Sequence, residues 1–337
     1  MSASPLYFVT GVNGLIASHV ADQLLAAGHR VRGSVRSLAH ASWLVPLFEA
    51  RHGPGRFTLV QLDDTGAEAA WEVALQGVSG VASVASPSSL EVADSNAATD
   101  DELRWFYKLL SAAKKTSSVR SVSFTSSAWA AYTPRPNEPM VVGEDSWNDS
   151  AVALAEGEGD VSDEERALAR FMAVKVKVER GCWDWVAREA PGFRFNAVLP
   201  DTVLGPILAP THQHGSTAGM LVRLFEGRGY EIVSQIAPQW FVDARDVGRL
   251  HVAALTDESV DKRRVFACAE RYSWYQLLGI MRRLFPARKF VELEDAGVDM
   301  AEMPTAFAEE LLARMGRTTW VGLEESVRGN LAPFLKE

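Results

Sequence analysis

The sequence predicts an α/β fold, a doubly wound parallel sheet with a smaller C-terminal α/β substrate region, and three observations carry that expectation. Short β-rich runs alternate with longer amphipathic stretches from residue 5 to Pro200. A turn bearing glycines at 11 and 14 joins the first run to the first amphipathic stretch. Beyond Pro200 the rhythm breaks, and glycine and proline become frequent through "DTVLGPILAPTHQHGSTAG". Strands separated by helices make βαβ units, whose right-handed crossovers build a parallel sheet covered on both faces.

In order, "LYFVTG" (6–11) reads as a buried strand, "LIASHVADQLLAAGH" (15–29) as a helix closed by Gly28, and "RVRGSVR" (30–36) as the second strand. The runs at 56–63, 80–86, 121–127 and 193–200 continue the series with helical segments between them. Ser162 and Glu165, within the acidic stretch 156–166, have capping-box spacing and open a helix that carries "RFMAVKVKVE" (170–179). Past Pro200, 273–285 and 323–335 read as helices. These elements place a dinucleotide-binding unit at 1–200 and a substrate-binding region at 201–337, interleaved at their boundary.

With 47% hydrophobic and 23% charged residues, the chain of 337 is expected to be soluble, globular and able to bury a large core. A net charge of −9 argues against a nucleic-acid or anionic-membrane surface, because both need basic excess, so the expected partner is a small molecule. The N-terminus lacks the basic region and long apolar core of a leader peptide, and no apolar run approaches the roughly 20 residues of a membrane span; a cytoplasmic protein is expected. Cys182 and Cys268 have no metal-ligand spacing and are expected as buried thiols. His212 and His214 have HxH spacing without an evident third ligand, so no metal is expected. Oligomeric state stays open between monomer and homodimer.

The turn "TGVNGLIASHV" nominates Thr10, Gly11, Asn13, Gly14, Leu15 and Ile16 as a phosphate-binding set. The glycines permit a tight turn and close backbone approach, Ala17 lets helix pack on strand, and the helix-start N–H groups suit a pyrophosphate, as in a Rossmann-type unit. The second strand ends at Arg36 with no acid nearby, and a guanidinium there suits a 2′-phosphate, so NADP(H) is favoured over NAD(H). Asp64, or Asp63 by a one-residue slip, is placed to meet the adenine.

Together with "GVSGVASVASP", "SVSFTSSAWAAY", "KVERGCWDWV", "FNAVLPDTVLGPIL", "QWFVDARDVGRLHVAAL" and "VGLEESVRGN", these residues resemble the extended short-chain dehydrogenase/reductase (NAD-dependent epimerase/dehydratase-like) family over essentially the whole chain. The resemblance is greatest to its dihydroflavonol-reductase and fungal aldehyde/ketone-reductase branch. It implies NADP(H) and carbonyl reduction by a serine, a tyrosine and a lysine acting together. Ser127 matches the serine that hydrogen-bonds the substrate carbonyl, and Lys175 the lysine that grips the nicotinamide ribose. The tyrosine, general acid of the family, falls on Phe171. The resemblance further implies cofactor contacts at Ala85, Ser86, Pro200 and Val203, and substrate contacts at Ser83, Trp129, Asp201 and Trp240. It makes Asp243 and Asp246 structural, paired with Arg245 or Arg249 in an order left open.

Phe171 is one of several departures. Ser83 stands where the family usually has histidine, Val174 where it has serine, and "WFYK" (Trp105, Phe106 and Lys108) where a helix usually carries a Gly-Thr-x-Asn run. Altered neighbours favour natural divergence over a single Tyr→Phe replacement. Tyr132, just beyond Ser127, is the alternative tyrosine, but no lysine follows it four residues on. Loss of a general acid costs about 10²–10⁴ in rate. The expectation is therefore an NADP(H)-binding enzyme of secondary metabolism acting on a hydrophobic carbonyl, iminium or enone by atypical hydride transfer. The alternatives are a non-redox cyclase, isomerase, lyase or dehydratase, with Ser127, Ser83, Lys108 and Asp201 as polar groups, and a non-catalytic NADP(H)-binding protein. Trp43, Trp105, Trp129 and Trp240 are candidates for the pocket walls.

Overall fold

The structure, a computed structural model, describes residues 4–62, 68–86, 92–157, 159–213 and 215–335. Its strands are β1 (Leu6–Val9), β2 (Arg30–Val35), β3 (Phe57–Gln61), β4 (Gly80–Ser83), β5 (Ser121–Thr125), β6 (Met140–Val141), β7 (Arg194–Pro200), β8 (Thr202–Leu204), β9 (Gln239–Asp243), β10 (Arg264–Ala267), β11 (Glu270–Tyr272) and β12 (Ala301–Glu302). Seven of them form one sheet in the order β10-β7-β5-β4-β1-β2-β3, every neighbouring pair parallel. The order reverses between β1 and β4, and such a switch point opens a crevice at the carboxyl ends of the strands. Val9 of β1 stands opposite both Gly33 of β2 and Ala82 of β4, so three strand ends align there.

Strands β1, β4 and β5 stop short of the runs that predict them, whereas β7 ends at Pro200 as predicted. Gly11, Val84 to Ser86, and Ser126 and Ser127 lie beyond the strands and line the crevice at the carboxyl edge of the sheet. The sheet also contains an element that the run of strands up to Pro200 did not predict. β10 lies in the predicted substrate region yet pairs with β7, so that region completes the first sheet. A mixed sheet, β11-β9-β8, and a two-stranded pair, β12-β6, complete the strands.

Helices bury both faces of the main sheet. On one side the helices Ser95–Lys115 and Asp163–Glu189 pack Phe106, Leu109, Val174 and Val178 against Phe8, Val81, Val122 and Phe195. On the other, helix Leu15–Ala26 covers Val9 and Val31, and helix Ala244–Thr256 lies against it. Their approach depends on Gly248, where a Cβ would sit 2.8 Å from the backbone oxygen of His19. His251 of the same helix is buried between Ser123 Oγ and Thr125 Oγ1, each at 2.9 Å, and burial pushes its pKa down to about 3, so a neutral ring ties the helix to β5. The C-terminal region has its own core of Leu204, Leu221, Phe225, Trp274, Leu277 and Val327. No helix among the described residues is long and apolar enough to cross a membrane.

The long helix Asp163–Glu189 starts as its sequence predicts, with Glu165 N–H donating to Ser162 Oγ at 3.1 Å and Ser162 N–H to Glu165 Oε2 at 3.0 Å. Its buried Glu179 pairs with Arg264 of β10 at 2.7 Å, and accepts further bonds from Ser126 Oγ at 2.6 Å and Trp183 Nε1 at 3.1 Å. Arg264 spends its remaining donors on the backbone oxygens of Glu144 at 2.8 Å and Ser146 at 2.6 Å. Every charge in this cluster is matched, so removing one partner strands the other in a dry interior. Arg264→Met should lower the unfolding free energy by about 3–5 kcal/mol in urea titrations. A loss below about 1 kcal/mol would show that water reaches Glu179.

Candidate functional site

A cleft of about 760 Å³ runs along the carboxyl edge of the sheet across the switch point. Its floor is set by Thr10. The backbone N–H of Thr10 donates to Ala82 O at 3.0 Å, and its Oγ1 accepts from the N–H groups of Val84 at 2.8 Å and Ala85 at 2.9 Å. This clamps the exits of β1 and β4 together. Gly11 follows with φ +59°, and a Cβ there would lie 2.9 Å from that of Ala85, so both the conformation and the spacing require glycine.

Gly14 donates its N–H to Gly11 O at 2.9 Å and launches the helix Leu15–Ala26, which has neither a side-chain cap nor an acid in its first turn. Gly11, Asn13, Gly14, Leu15, Ile16 and Ala17 all line the cleft, which gives its middle the unpaired N–H groups and positive dipole end that bind anions. A residue that the sequence did not single out braces this turn. Gln213 Nε2 donates to the backbone oxygens of Asn13 at 3.1 Å and Gly14 at 3.3 Å and to Ser18 Oγ at 3.0 Å.

At one end of the cleft stand Ser34, Arg36, Ser37 and His40. Asp201, at the opposite end, is the one carboxylate among the described lining residues. Asp63 and Asp64 lie outside the described residues.

The opposite end gathers Ser127 from the exit of β5, Phe171 and Lys175 from the long helix, and Pro200, Asp201 and Val203 from the exit of β7, while Trp71 and Trp105, edge-on to each other at 5.3 Å, add apolar wall to the cleft. Ser127 Oγ accepts from Trp129 N–H at 3.2 Å, leaving its O–H to donate into the cleft. Lys175 Nζ donates to Ser86 Oγ at 2.8 Å, lies 3.6 Å from Glu102 Oε1, and sits 5.2 Å from the centroid of the Phe171 ring. Ser86 Oγ in turn donates to Glu102 Oε1 at 2.9 Å. Glu102 is buried, and its sequence signal is an acid on the core-facing stripe of an amphipathic helix, beside the "WFYK" run. Asp201 Oδ2 lies 2.6 Å from the Tyr132 hydroxyl, and burial pushes its pKa up to about 7.

Several candidates fall elsewhere. Ser83 does not line the cleft: it is buried within β4 with no hydrogen-bond partner for Oγ, and the cleft begins with the next residue, Val84. Trp129 stands behind the site, its ring edge-on to Phe171 at 6.0 Å, and donates Nε1–H to Gln239 at 3.0 Å. Trp240 is also off the cleft, held by Ala301 O at 3.2 Å beneath the guanidinium of Arg271. Of the "WFYK" run, Trp105 reaches the cleft, Phe106 enters the core and Lys108 does not line the cleft. Tyr132 is 2% exposed, so its hydroxyl does not open on the cleft. Trp43 stacks on His212 at 5.0 Å, and His214 lies outside the described residues. Among the described residues no three His, Cys, Asp or Glu side chains are grouped to hold a metal. Asp243 pairs with Arg245 at 2.8 Å and Asp246 with Arg249 at 2.6 Å, which resolves the order left open. Both cysteines are buried free thiols.

Residues 7–269 match the sequence profile described as the NAD dependent epimerase/dehydratase family. The chain is 35% identical to aldehyde reductase 2 of Sporidiobolus salmonicolor, with 96% of this chain and 94% of that protein aligned. It is 34% identical to the ketoreductase nvfG of Aspergillus novofumigatus, over 95% of this chain and 93% of that one. Among solved structures, Gre2 of Candida albicans in complex with NADPH superposes with a TM-score of 0.78 at 21% identity, covering 98% of this chain and 99% of Gre2. That likeness carries the fold.

Replacing Gly11 tests the floor of the cleft. Gly11→Ala meets both a left-handed backbone and the Ala85 methyl, a strain of about 1–3 kcal/mol. Dinucleotide binding, followed by quenching of tryptophan fluorescence, should weaken about 10- to 100-fold. Unchanged affinity would show that the ligand does not use this turn.

Proposed function

The chain belongs to the NAD dependent epimerase/dehydratase family, and from that premise we propose that it is an NADP(H)-dependent reductase of a hydrophobic carbonyl, iminium or enone compound of secondary metabolism. The observation that carries this reading is a single cleft with an uncapped helix N-terminus in the middle, Arg36 at one end and Ser127 with Lys175 at the other. The donor set fits a phosphorylated dinucleotide. Leu15 and Ile16 offer backbone N–H groups to a pyrophosphate, and Arg36 with Ser34, Ser37 and His40 offers hydrogen-bond donors for a 2′-phosphate. Relatives whose names include aldehyde reductase and ketoreductase support the reaction class.

When bound, the nicotinamide cofactor supplies a hydride. The protein supplies placement and an electrostatic setting. Ser127 donates a hydrogen bond toward the substrate oxygen, and Lys175, fixed by Ser86 and Glu102, holds the ribose hydroxyls. Trp71, Trp105, Val84 and Phe171 present apolar surface that excludes water and strengthens those polar contacts. Phe171 has no proton to give. A cationic iminium needs none at the hydride step, whereas a ketone needs a donor elsewhere in the cleft.

Addition of a substrate should consume NADPH, read as loss of nicotinamide absorbance. Conversion of the substrate with no absorbance change would replace this reading with non-redox chemistry in the same cleft. Arg36→Ala should weaken NADPH binding about 10- to 100-fold, the range of a lost charge-assisted contact, while NADH binding changes little. Equal losses for the two dinucleotides would remove the 2′-phosphate assignment.

A further inference from the structure

The turn that opens the first helix is held from behind by a segment of the predicted substrate region. After β8, residues 206–213 are fixed at both ends to the helix Leu15–Ala26 and its glycine turn. At the near end Pro206 O lies 2.7 Å from His19 Nε2, and because a carbonyl only accepts, this ring nitrogen donates. Between the ends, Leu208 packs against the core that holds Val12, Ala17 and Val20, and His212 stacks on Trp43 with ring planes 3° apart. At the far end stands Gln213, buried and bonded through both halves of its amide.

That amide has one orientation open to it. Nε2 faces the backbone oxygens of Asn13 at 3.1 Å and Gly14 at 3.3 Å and Ser18 Oγ at 3.0 Å, while Oε1 faces the Ala209 N–H at 3.1 Å. Backbone oxygens cannot donate and the Ala209 N–H cannot accept, so the nitrogen must point at the turn. The C=O of Gly14 and the N–H of Leu15 belong to one rigid trans peptide and lie on opposite sides of it. Leu15 lines the cleft at the uncapped start of its helix. Gln213 therefore holds this peptide by the edge away from a bound anion. Its donation to Gly14 O polarises the Leu15 N–H in the direction that strengthens a bond to phosphate.

We propose that Gln213 is a positioning residue of the dinucleotide site, acting through the Gly14–Leu15 peptide to aim and strengthen the N–H that meets the pyrophosphate. The inference rests on the reductase reading, which puts a pyrophosphate at this turn, and it carries the site into a segment some two hundred positions beyond the glycine motif. The neutrality of the amide is part of its role. A carboxylate of the same shape sets bare oxygens against Asn13 O and Gly14 O and adds negative charge behind the pyrophosphate. The pyrophosphate is common to both nicotinamide dinucleotides, so the contribution of Gln213 is independent of the 2′-phosphate and of Arg36.

Binding of NADP⁺ and of NAD⁺ to the full chain, followed by quenching of tryptophan fluorescence, tests this. Gln213→Glu should weaken both dinucleotides about 10- to 100-fold, and by factors that agree within about threefold. Gln213→Met, which fills the space without a donor, should weaken both about 3- to 10-fold. A brace that only stabilised the fold would lower Tm and leave the affinity of the folded protein alone. Folded variants that bind both dinucleotides within about twofold of the parent therefore overturn the inference and leave the reductase reading standing. A loss confined to NADP⁺ also overturns it, since that would put Gln213 at the 2′-phosphate. If Gln213→Glu does not fold, Gln213→Met decides between the same outcomes. A parent protein that binds neither dinucleotide overturns the reductase reading as well.

Discussion

The structure depends on how closely the exit of β1 approaches the exit of β4. A parallel sheet that reverses direction must leave a gap there, since consecutive crossovers depart to opposite faces. In this chain the gap is narrowed by Thr10, whose hydroxyl takes two backbone N–H groups of the β4 exit, and by the absence of a side chain at Gly11 against Ala85. That spacing aims the first helix at the middle of the crevice. It also sets Val84 to Ser86 along one wall, which is why Ser86 can reach Lys175. The clamp thus connects the glycine turn to the opposite end of the cleft without any long-range charge.

The second wall depends on the long helix, and that helix is fixed at its inner face by a saturated buried ion pair. Glu179 accepts from Arg264, Trp183 and Ser126, so one carboxylate joins helix, edge strand and the residue before Ser127. One turn earlier the same helix presents Lys175. Ser127 and Lys175 come from elements far apart in sequence, and Glu179 is where the two elements are bonded to each other. Such a pair contributes less to net stability than its Coulomb attraction, because both ions were desolvated, but it permits one register of helix on sheet. Under the proposed function, that register is what brings a serine and a lysine to one substrate.

Much of this was legible in the sequence because it is local. The glycine turn, Arg36 at a strand end and the Ser162–Glu165 box are decided by residues within a few positions of one another, and periodicity located the seven-stranded sheet up to β7. What escaped is non-local. β10 is a short run like many others until β7 offers it an open edge. Gln213 braces a turn some two hundred positions away, and Glu102 has meaning only once Ser86 and Lys175 arrive beside it. Ser83 misled for the opposite reason. Its place in a motif implied the cleft, whereas burial within β4 keeps it in the core.

Under the proposed function, Lys175 can keep its place without a hydroxyl at position 171, because other groups hold it. Ser86 and Glu102 fix its ammonium, and the Phe171 ring only packs beside it at 5.2 Å.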